Sequence, residues 1–596
     1  MKLTGSTILL LTIFLFALLS GCATTPEPQE PRTFERADLL QEHLSTLFAE
    51  GNYRQAVDRL TFAQERGMFP PDQLTELMQE ILSLELTRYN LSLATEDWRE
   101  LLVARDNVLV LRDDPLGLLP SEVVYEPLLE RDEILLSWAL TELDRGEDVL
   151  ALYLLLRRST LQDIPDEPRI SFQAVARRFN NFEAYRRLGG TTDSAELRKQ
   201  PADLLGGTVT VWVNRGVRIT DGVGVPDRVV GSGFFVDPRG YIITNHHVIE
   251  SEVNPEYNGY SRLYVRMPGR PNERVPARVV GYDRIFDIAL IKVELDAPVV
   301  MSLSDVRRMV PGEGVLALGS PGGLDSTITS GIVSAAGRRF LQMGEAVQID
   351  APVNPGNSGG PLVFPDDGQV AAVVFAGIPQ FEGVNFVIPA YWIRHFFPRL
   401  FTGGEVVHSW IGVSFHEGRR GLEATYVVPG SPAHRAGVRE GDILASIGGD
   451  EVSTMIVAQD ILMGASPGRI VATTWKRPEG EERTRLMTLA ERPFSPVDDL
   501  LRTKPIETLF PVLFGMEVDE LSGSWFGRDF VITRVLPGSI ADESSLSVND
   551  PFSMRNWHVD RDLRAAFVQI VIRKRKEGFL ESGLQLGAFL ETNTFL

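Results

Sequence analysis

The stretch that decides the fold reads NPGNSGGPL over residues 354–362. It places Ser358 among glycines and then leads through Pro361 into an apolar run. A serine hydroxyl becomes an effective nucleophile when an imidazole takes its proton, and the oxyanion that forms must be met by backbone N–H groups. Because glycines permit the dihedrals that aim two amides at one point, we expect Gly356 and Ser358 to supply these N–H groups.

Two earlier stretches offer the partners that such a serine needs. Residues 241–248 (YIITNHHV) read as a strand that ends at a pair of histidines, and residues 287–293 (DIALIKV) as an acid before a buried strand. An imidazole can act as general base, and a carboxylate on its other nitrogen holds it in one tautomer. The order histidine, acid, serine is more specific than any one signal, although the residues alone leave His246 and Asp283 open as alternatives.

One rival fold can be excluded from the sequence. The pattern Gly356-x-Ser358-x-Gly360 also fits the nucleophile elbow of α/β-hydrolases, which requires a helix directly after the serine. Here Pro361 and an apolar run lead into an Asp-Asp-Gly turn, which is typical of a strand and a hairpin. That fold also takes its histidine from a later position, and after Ser358 none occurs before His395.

The pattern of apolar residues changes along the chain. Residues 34–184 have apolar side chains at three- and four-residue spacing, which predicts helices, and residues 51–56 (GNYRQA) resemble the turn of a tetratricopeptide hairpin. This region could bind a partner or act as a spacer. Residues 207–389 consist of short runs rich in Val, Ile and Thr between Gly and Pro, which predicts an antiparallel barrel or sandwich.

Further segments resemble the HtrA/Deg family of serine proteases, which share the chymotrypsin-like double β-barrel. They are residues 317–322 (ALGSPG), 329–334 (TSGIVS), 348–351 (QIDA) and 384–389 (VNFVIP). The resemblance covers about residues 207–492. It implies that His247 is the general base, Asp287 orients it and Ser358 attacks, because the Thr-x-x-His-Val and Asp-Ile-Ala-Leu patterns select His247 and Asp287.

The resemblance also bears on specificity and cofactors. In the family the primary pocket is lined by strands after the serine, here around residues 374–377 and 384–387, where no charged side chain is prominent. We therefore expect cleavage after apolar residues of small to medium size. No metal or organic cofactor is implied.

The region after the barrel resembles a PDZ domain of the HtrA type, through residues 409–413 (SWIGV), 427–433 (VVPGSPA) and 441–444 (GDIL). The resemblance implies that Ile411, Gly412 and Val413 offer N–H groups to a C-terminal carboxylate. The peptide would add as a strand beside an apolar helix near residues 455–463.

A second copy of the PDZ pattern lies 108 residues further along, where residues 538–541 (GSIA) repeat the GSPA motif. Ser545, Asn549 and Pro551 replace Gly437, Gly441 and Ile443 in this copy. Asn tolerates left-handed dihedrals, so the turn can survive, whereas a proline removes a strand donor. We expect a divergent PDZ-like domain that does not bind peptides in the usual way.

The N-terminus resembles the signal of a bacterial lipoprotein. Residues 8–19 are almost wholly apolar but too few to span a bilayer, and residues 19–22 (LSGC) match a lipobox. Cys22 is the only cysteine of the chain, which excludes an intramolecular disulfide and makes it the expected lipidation site. The residue after Cys22 is Ala23 and not an aspartate, which in bacterial lipoproteins favours a location at the outer membrane.

The composition limits the classes of partner. The chain has 596 residues and a formal net charge of -21, which argues against a nucleic-acid partner. We predict a multidomain chain with an N-terminal all-α domain, an all-β double barrel and two α+β domains. The expected units are a signal peptide (1–21), a tether (22–33), a helical TPR-like domain (34–195), a trypsin-like protease domain (203–402), a PDZ domain (405–494) and a divergent PDZ-like domain (506–596).

The function that these observations favour is that of a serine endopeptidase cleaving misfolded or selected envelope proteins. It would be lipid-anchored, face the periplasm, bind unfolded or C-terminal peptide segments and form a possible homotrimer. Two alternatives remain: a chaperone or scaffold lipoprotein with vestigial proteolysis, and a signalling protease with one dedicated substrate.

Overall fold

The structure is a computed structural model, and the part of the chain that it describes excludes the N-terminal segment and several short internal ones. The predicted signal peptide, the tether and Cys22 lie outside the described residues. None of the described helices is long and apolar enough to cross a membrane. The described residues are 36–120, 125–179, 181–191, 200–220, 222–270, 272–304, 309–320, 327–339, 341–377, 383–521, 528–561, 563–575, 579–590 and 593–596.

The N-terminal region is helical, as the apolar spacing predicts. The turn at Gly51 and the turn at Gly146 have the same construction, since each glycine has a positive φ, of 75° and 77°, and ends a helix. The tetratricopeptide-like label stays a prediction. The helices are α1 (Ala37–Ala49), α2 (Arg54–Glu65), α3 (Pro71–Thr95), α4 (Trp98–Arg112), α5 (Arg131–Asp144), α6 (Asp148–Leu155), α7 (Asp166–Arg178), α8 (Phe182–Arg187) and α9 (Pro201–Leu204).

Six antiparallel strands form the first β-barrel. They neighbour one another in the order β5-β4-β1-β2-β3-β6, and pairing between β5 and β6 closes the sheet. A short helix, α10 (His246–Val253), follows β3 and carries both histidines of the predicted site. The strands are β1 (Thr208–Thr220), β2 (Val223–Asp237), β3 (Tyr241–Thr244), β4 (Arg262–Arg266), β5 (Val275–Asp283) and β6 (Ile288–Val293).

A second closed barrel follows, with strand order β10-β11-β12-β9-β8-β7. Strand β10 begins at Pro361, so the serine leads into a strand as the sequence predicts. Helix α11 (Ala390–Phe401) closes the unit. The strands are β7 (Gly314–Gly319), β8 (Thr327–Arg338), β9 (Ala346–Ile349), β10 (Pro361–Val363), β11 (Val370–Gly377) and β12 (Asn385–Pro389).

The PDZ region has a sheet in the order β15-β16-β17-β19-β20. Its apolar helix α13 (Met455–Met463) lies where the sequence predicts one. The remaining elements are β13 (Gly404–Glu405), β14 (Ser409–Trp410), β15 (Val413–Gly418), β16 (Gly421–Val427), α12 (Pro432–Arg435), β17 (Ile443–Ile447), β18 (Asp450–Glu451), β19 (Ile470–Lys476), β20 (Glu482–Thr488) and β21 (Ala490–Glu491).

The last region is a five-stranded antiparallel sheet in sequence order. Between β24 and β25 the described residues contain no counterpart of α13, so one wall of a usual PDZ groove is lacking there. The elements are α14 (Pro496–Thr503), a 3₁₀ turn (Ile506–Leu509), α15 (Phe510–Leu513), β22 (Met516–Glu520), β23 (Arg528–Val535), α16 (Ile540–Glu543), β24 (Pro551–Asp560), β25 (Ala565–Arg575) and β26 (Phe579–Phe589).

The segment between the predicted PDZ domain (405–494) and the predicted PDZ-like domain (506–596) is not an extended connection. Helix α14 occupies most of it, and Val497 and Leu500 are buried in the core of the last domain. The proline at position 496 takes the first helical position, where its missing N–H costs nothing. The proline therefore marks a helix start here, and the last domain begins earlier than residue 506.

The helical region is joined to both neighbouring domains. Tyr153 on α6 accepts a hydrogen bond from the amide of Leu303 at 3.2 Å and packs edge-on against Phe397 of α11, with ring centroids 4.6 Å apart. On the PDZ side, Asp58 on α2 is fully buried. Its carboxylate accepts from the amide of Thr488 at 2.5 Å and from Arg435 at 2.7 Å.

We expect Asp58→Ala to loosen the contact between α2 and the PDZ sheet. Removing one partner of a buried pair leaves the other charge and an amide uncompensated, which costs about 3 kcal/mol. Hydrogen exchange measured by mass spectrometry should therefore accelerate in residues 54–65, by roughly 100-fold. Glu80→Ala, at an exposed position on α3, is the matched control and should change nothing. Equal exchange in both variants would contradict this role of Asp58.

Candidate active site

The two barrels meet where strand β2 passes the serine loop. The amide of Ser232 donates to the carbonyl of Ser358 at 2.7 Å, and the hydroxyl of Ser232 donates to the carbonyl of Gly356 at 2.6 Å. Gly359 has a φ of 85°, and a Cβ there would overlap the carbonyl oxygen of Ser232 and the hydroxyl of Thr244. Glycine is required at this position for both conformation and space.

The serine loop itself has an unusual backbone. Gly356 has a φ of 107°, in the region that favours glycine. Within the described residues no hydrogen bond from the amides of Gly356 or Ser358 is found, so both amides are available to an incoming oxygen. The hydroxyl of Ser358 donates a long hydrogen bond of 3.4 Å to the carbonyl of Phe375 on β11.

His247 and Asp287 are brought together by two contacts. The carboxylate of Asp287 lies 2.6 Å from Nδ1 of His247 through one oxygen and accepts the backbone amide of His247 at 2.7 Å through the other. The carbonyl of Asp287 in turn accepts from Asn245 at 2.8 Å. Asp287 has a left-handed φ of 52°, which aspartate tolerates better than most residues. Both oxygens and the backbone of Asp287 are thereby fixed.

The protonation of His247 follows from this environment. Desolvation in the cleft by itself lowers the pKa of His247, but the charge of Asp287, its hydrogen bond and the charge of Glu250 outweigh that effect and raise the pKa above its ordinary value. Because Nδ1 is engaged by the carboxylate, Nε2 is the nitrogen that remains for proton transfer.

The alternative histidine and acid have other partners. His246 stacks on Tyr282 with ring centroids 5.3 Å apart, and burial lowers its pKa. Asp283 is fully buried and lies 2.7 Å from Nε2 of His408, whose pKa is likewise lowered by burial. Since His408 lies between the barrels and the PDZ sheet, this second histidine–carboxylate pair connects domains.

A cavity of about 280 Å³ lies over His247 and is called the catalytic cavity below. Two of its walls are not indicated by any motif of the sequence. Phe494, after the PDZ sheet, and Arg564, in the last domain, both line it, and the guanidinium of Arg284 lies 3.9 Å from the ring centre of Phe494. Phe494 and Arg564 lie far from Ser358 in the sequence, and no motif around either residue indicates that it belongs to the site.

The predicted carboxylate loop of the PDZ domain, formed by Ile411, Gly412 and Val413, follows β14 and ends at the first residue of β15. Gly412 has a φ of 82°, and the space where its Cβ would stand is taken by the side chain of Ser431. Gly515 in the last domain has a φ of 69° and meets Ser539 in the same way. The two PDZ-type domains therefore share the construction of this turn.

Comparison with known proteins agrees with this architecture. Family models match for a trypsin-like peptidase domain at residues 231–373, a PDZ domain at residues 423–477 and a TP0546 family PDZ domain at residues 497–590. A protein of Marinomonas sp. (strain MWYL1), named probable periplasmic serine endoprotease DegP-like, is 32% identical over 349 residues, which cover 55% of this chain and 71% of that protein.

Two further matches cover a smaller part of this chain. A protein of Chlamydia trachomatis with the same name is 31% identical over 260 residues, covering 41% of this chain and 50% of that protein, so this chain spans half of its length. The solved serine endoprotease from Yersinia pestis is 28% identical, with a TM-score of 0.40, over 51% of this chain and 99% of that one.

The double barrel and the PDZ-type domains behind it define a trypsin-like serine peptidase with peptide-binding modules. The match to a DegP-like serine endoprotease over more than two thirds of that protein carries the assignment further. The chain belongs to the HtrA/Deg family of serine endopeptidases with C-terminal PDZ domains.

We expect Asp287→Asn to lower the pKa of His247. Asparagine keeps the size and the left-handed backbone but removes the charge that favours the imidazolium. In ¹³C-labelled histidine spectra, the titration midpoint of His247 should move to lower pH, and the midpoint should move less in Glu250→Gln, because Glu250 contributes less to the shift. A midpoint that rises or stays in Asp287→Asn would mean that the Asp287 charge does not raise the pKa of His247.

Proposed function

We propose that the protein cleaves misfolded or selected proteins of the bacterial cell envelope through an acyl-enzyme on Ser358. The observation that carries the proposal is the double hydrogen bond from His247 to Asp287, at 2.6 and 2.7 Å, beside the serine loop. In this mechanism Asp287 holds the imidazole and stabilises the imidazolium, and Nε2 of His247 takes the proton of Ser358.

The serine loop supports the second part of the mechanism. The long hydrogen bond of 3.4 Å from Ser358 to Phe375 is weak, so the hydroxyl can turn towards His247 when a substrate enters. The amides of Gly356 and Ser358 then stabilise the oxyanion. His247 afterwards donates its proton to the leaving amine, and a water molecule activated by the same nitrogen hydrolyses the acyl-enzyme.

Substrate recognition is proposed for two places. The apolar side chains of Phe375 on β11 and of Val384 next to β12 support a preference for small to medium apolar residues at the cleaved position. The loop of Ile411, Gly412 and Val413 is proposed to bind the carboxylate of a C-terminal peptide, which would add as a strand beside α13.

The homotrimer implied by the family resemblance also stays a prediction, which sedimentation of the purified protein tests.

Substitution of the proposed nucleophile tests the activity. The protein lacking residues 1–22 should cleave denatured casein, and Ser358→Ala should reduce the rate at least about 10,000-fold because no acyl-enzyme can form. The matched control is Ser330→Ala, at an exposed position on β8 of the same barrel, which should cleave normally. Mass spectrometry of the products should find cuts after apolar residues of small to medium size.

The outcomes separate the candidate functions. Equal cleavage by the unsubstituted protein and Ser358→Ala would show a wrong nucleophile or a contaminant. Suppression of aggregation without any cleavage would favour a chaperone or scaffold. Rapid cutting of one envelope protein, with slow cutting of all denatured proteins, would indicate a dedicated signalling protease. Cuts mainly after Lys, Arg, Asp or Glu would contradict the proposed pocket.

The envelope location agrees with the relatives, which are named periplasmic. We further infer that a lipid on Cys22 anchors the protein to the membrane, with the outer membrane favoured, and that the rest of the chain faces the periplasm. In cells fed an alkyne fatty acid, the unsubstituted protein should acquire the label and sediment with membranes. Cys22→Ser should lose both properties, whereas Ser20→Ala should keep them. Label retained in Cys22→Ser would refute lipidation at this residue.

A further inference from the structure

The last residues of the sequence lie in the groove of the PDZ domain. The main-chain oxygen of Leu596 accepts hydrogen bonds from the amides of Gly412 at 2.8 Å and of Ile411 and Val413 at 3.3 Å each. The amide of Leu596 donates to the carbonyl of Val413 at 3.0 Å. Three convergent backbone N–H groups around one main-chain oxygen are the contact by which such a loop captures a peptide terminus.

The contacts continue along β15 as those of an added strand. Phe595 forms an antiparallel bridge with Ser414, and the amide of Phe415 donates to the carbonyl of Thr594 at 2.8 Å. Main-chain pairing of this kind supplies affinity that does not depend on the side chains, while alternate side chains supply specificity.

The side chains of Phe595 and Leu596 are buried in the cores of two different domains. Leu596 is 1% exposed and belongs to the apolar core of the PDZ domain, together with Met455 and Leu462 of α13. Phe595 is also 1% exposed but belongs to the core of the last domain. Burial of an apolar side chain is favourable, so both anchors stabilise the bound position.

Asn593 connects the same segment to the protease barrel. Its side-chain amide donates to the carbonyls of Leu341 and Gly344 at 2.8 Å each, and its oxygen accepts from Gln459 of α13 at 3.0 Å. Gln459 in turn accepts from the amide of Gly344 at 2.9 Å. Leu341 lines the catalytic cavity, so the groove and the cavity share one hydrogen-bonded loop.

We propose that residues 593–596, the carboxyl-terminal segment, are an intramolecular ligand of the PDZ groove. An external peptide with an apolar last residue and a free carboxylate then binds only by displacing this segment. A tethered ligand competes at an effective concentration of about millimolar, so a segment whose own dissociation constant is about 100 μM or lower weakens the binding of an external peptide by at least about tenfold. The proposal rests on the proposed function of Ile411, Gly412 and Val413 as a carboxylate site.

Displacement also has a consequence at the protease. A peptide that takes the place of Leu596 removes the carboxyl-terminal segment from β15 and with it the two hydrogen bonds that Asn593 gives to the loop of Leu341 and Gly344. The occupant of the groove and the lining of the catalytic cavity are therefore linked through Asn593. The last domain contacts both places, because its core contains Phe595 of the carboxyl-terminal segment and its Arg564 lines the cavity.

Binding of a labelled peptide tests the proposal. The probe is a fluorescein-labelled hexapeptide with the sequence of residues 591–596 (ETNTFL), and a probe with a terminal carboxamide is its control. The protein lacking residues 1–22 carries Ser358→Ala throughout, so that the probe is not cleaved. The test variant adds Gly-Ser-Gly-Ser after Leu596, which removes the terminal carboxylate but keeps every native side chain.

In fluorescence anisotropy, we expect the extended variant to bind the carboxylate probe at least tenfold more tightly than the parent, and the carboxamide probe weakly. Leu596→Gly keeps the chain length and the carboxylate but removes the apolar anchor, and it should also bind the probe more tightly. Circular dichroism and melting curves identify a variant that fails to fold, and the other variant then decides.

Two other results would overturn the proposal. Equal and measurable affinity of parent and variants for the carboxylate probe would mean that the groove is open in the parent, so that only the intramolecular ligand is refuted. No binding by any folded variant would refute the carboxylate site itself, and the intramolecular ligand with it.

Discussion

The close approach of strand β2 to the serine loop is the contact on which the catalytic arrangement depends. Ser232 bonds to both barrels: its amide and hydroxyl donate to the carbonyls of Ser358 and Gly356, its hydroxyl accepts the amide of Ser320, and its carbonyl accepts the hydroxyl of Thr244. Strand β3 then ends three residues before His247. The position of the serine loop relative to the helix that carries His247 is therefore set by the contacts of Ser232 with main-chain carbonyls and with Thr244.

The sequence predicts well those features whose chemistry is local. The glycines around Ser358, the strand that begins at Pro361 and the helix of residues 455–463 each follow from a short run of residues, and all lie where they are expected. Asn549 takes a left-handed φ of 70°, so the turn of the divergent PDZ domain survives as anticipated. In these cases a backbone requirement and a residue type correspond closely.

The features that the sequence does not reveal come from packing between distant segments. Helix α14 is not recognised in the sequence because Pro496 at its start, with Pro493 and Pro505 on either side of it, also fits a linker, and only the burial of α14 against the last domain distinguishes a helix from a linker. Arg564 and Phe494 have ordinary sequence surroundings, yet both line the catalytic cavity. The helical region could be a spacer or a partner-binding module by sequence, but its buried Asp58 commits one face to the PDZ sheet.

The last domain illustrates how a PDZ-type fold can lose one use and acquire another. It keeps the glycine turn at Gly515 but lacks a described counterpart of α13, so it offers no usual groove of its own. Its sheet instead supports Arg564 at the catalytic cavity and leads to Leu596 in the neighbouring groove. Coupling between two binding sites is reciprocal, because each ligand must change the affinity of the other by the same factor. A substrate that rearranges the loop at Leu341 would therefore change the affinity of the PDZ groove for the carboxyl-terminal segment. Release of that segment would change the affinity of the catalytic cavity for the substrate by the same factor.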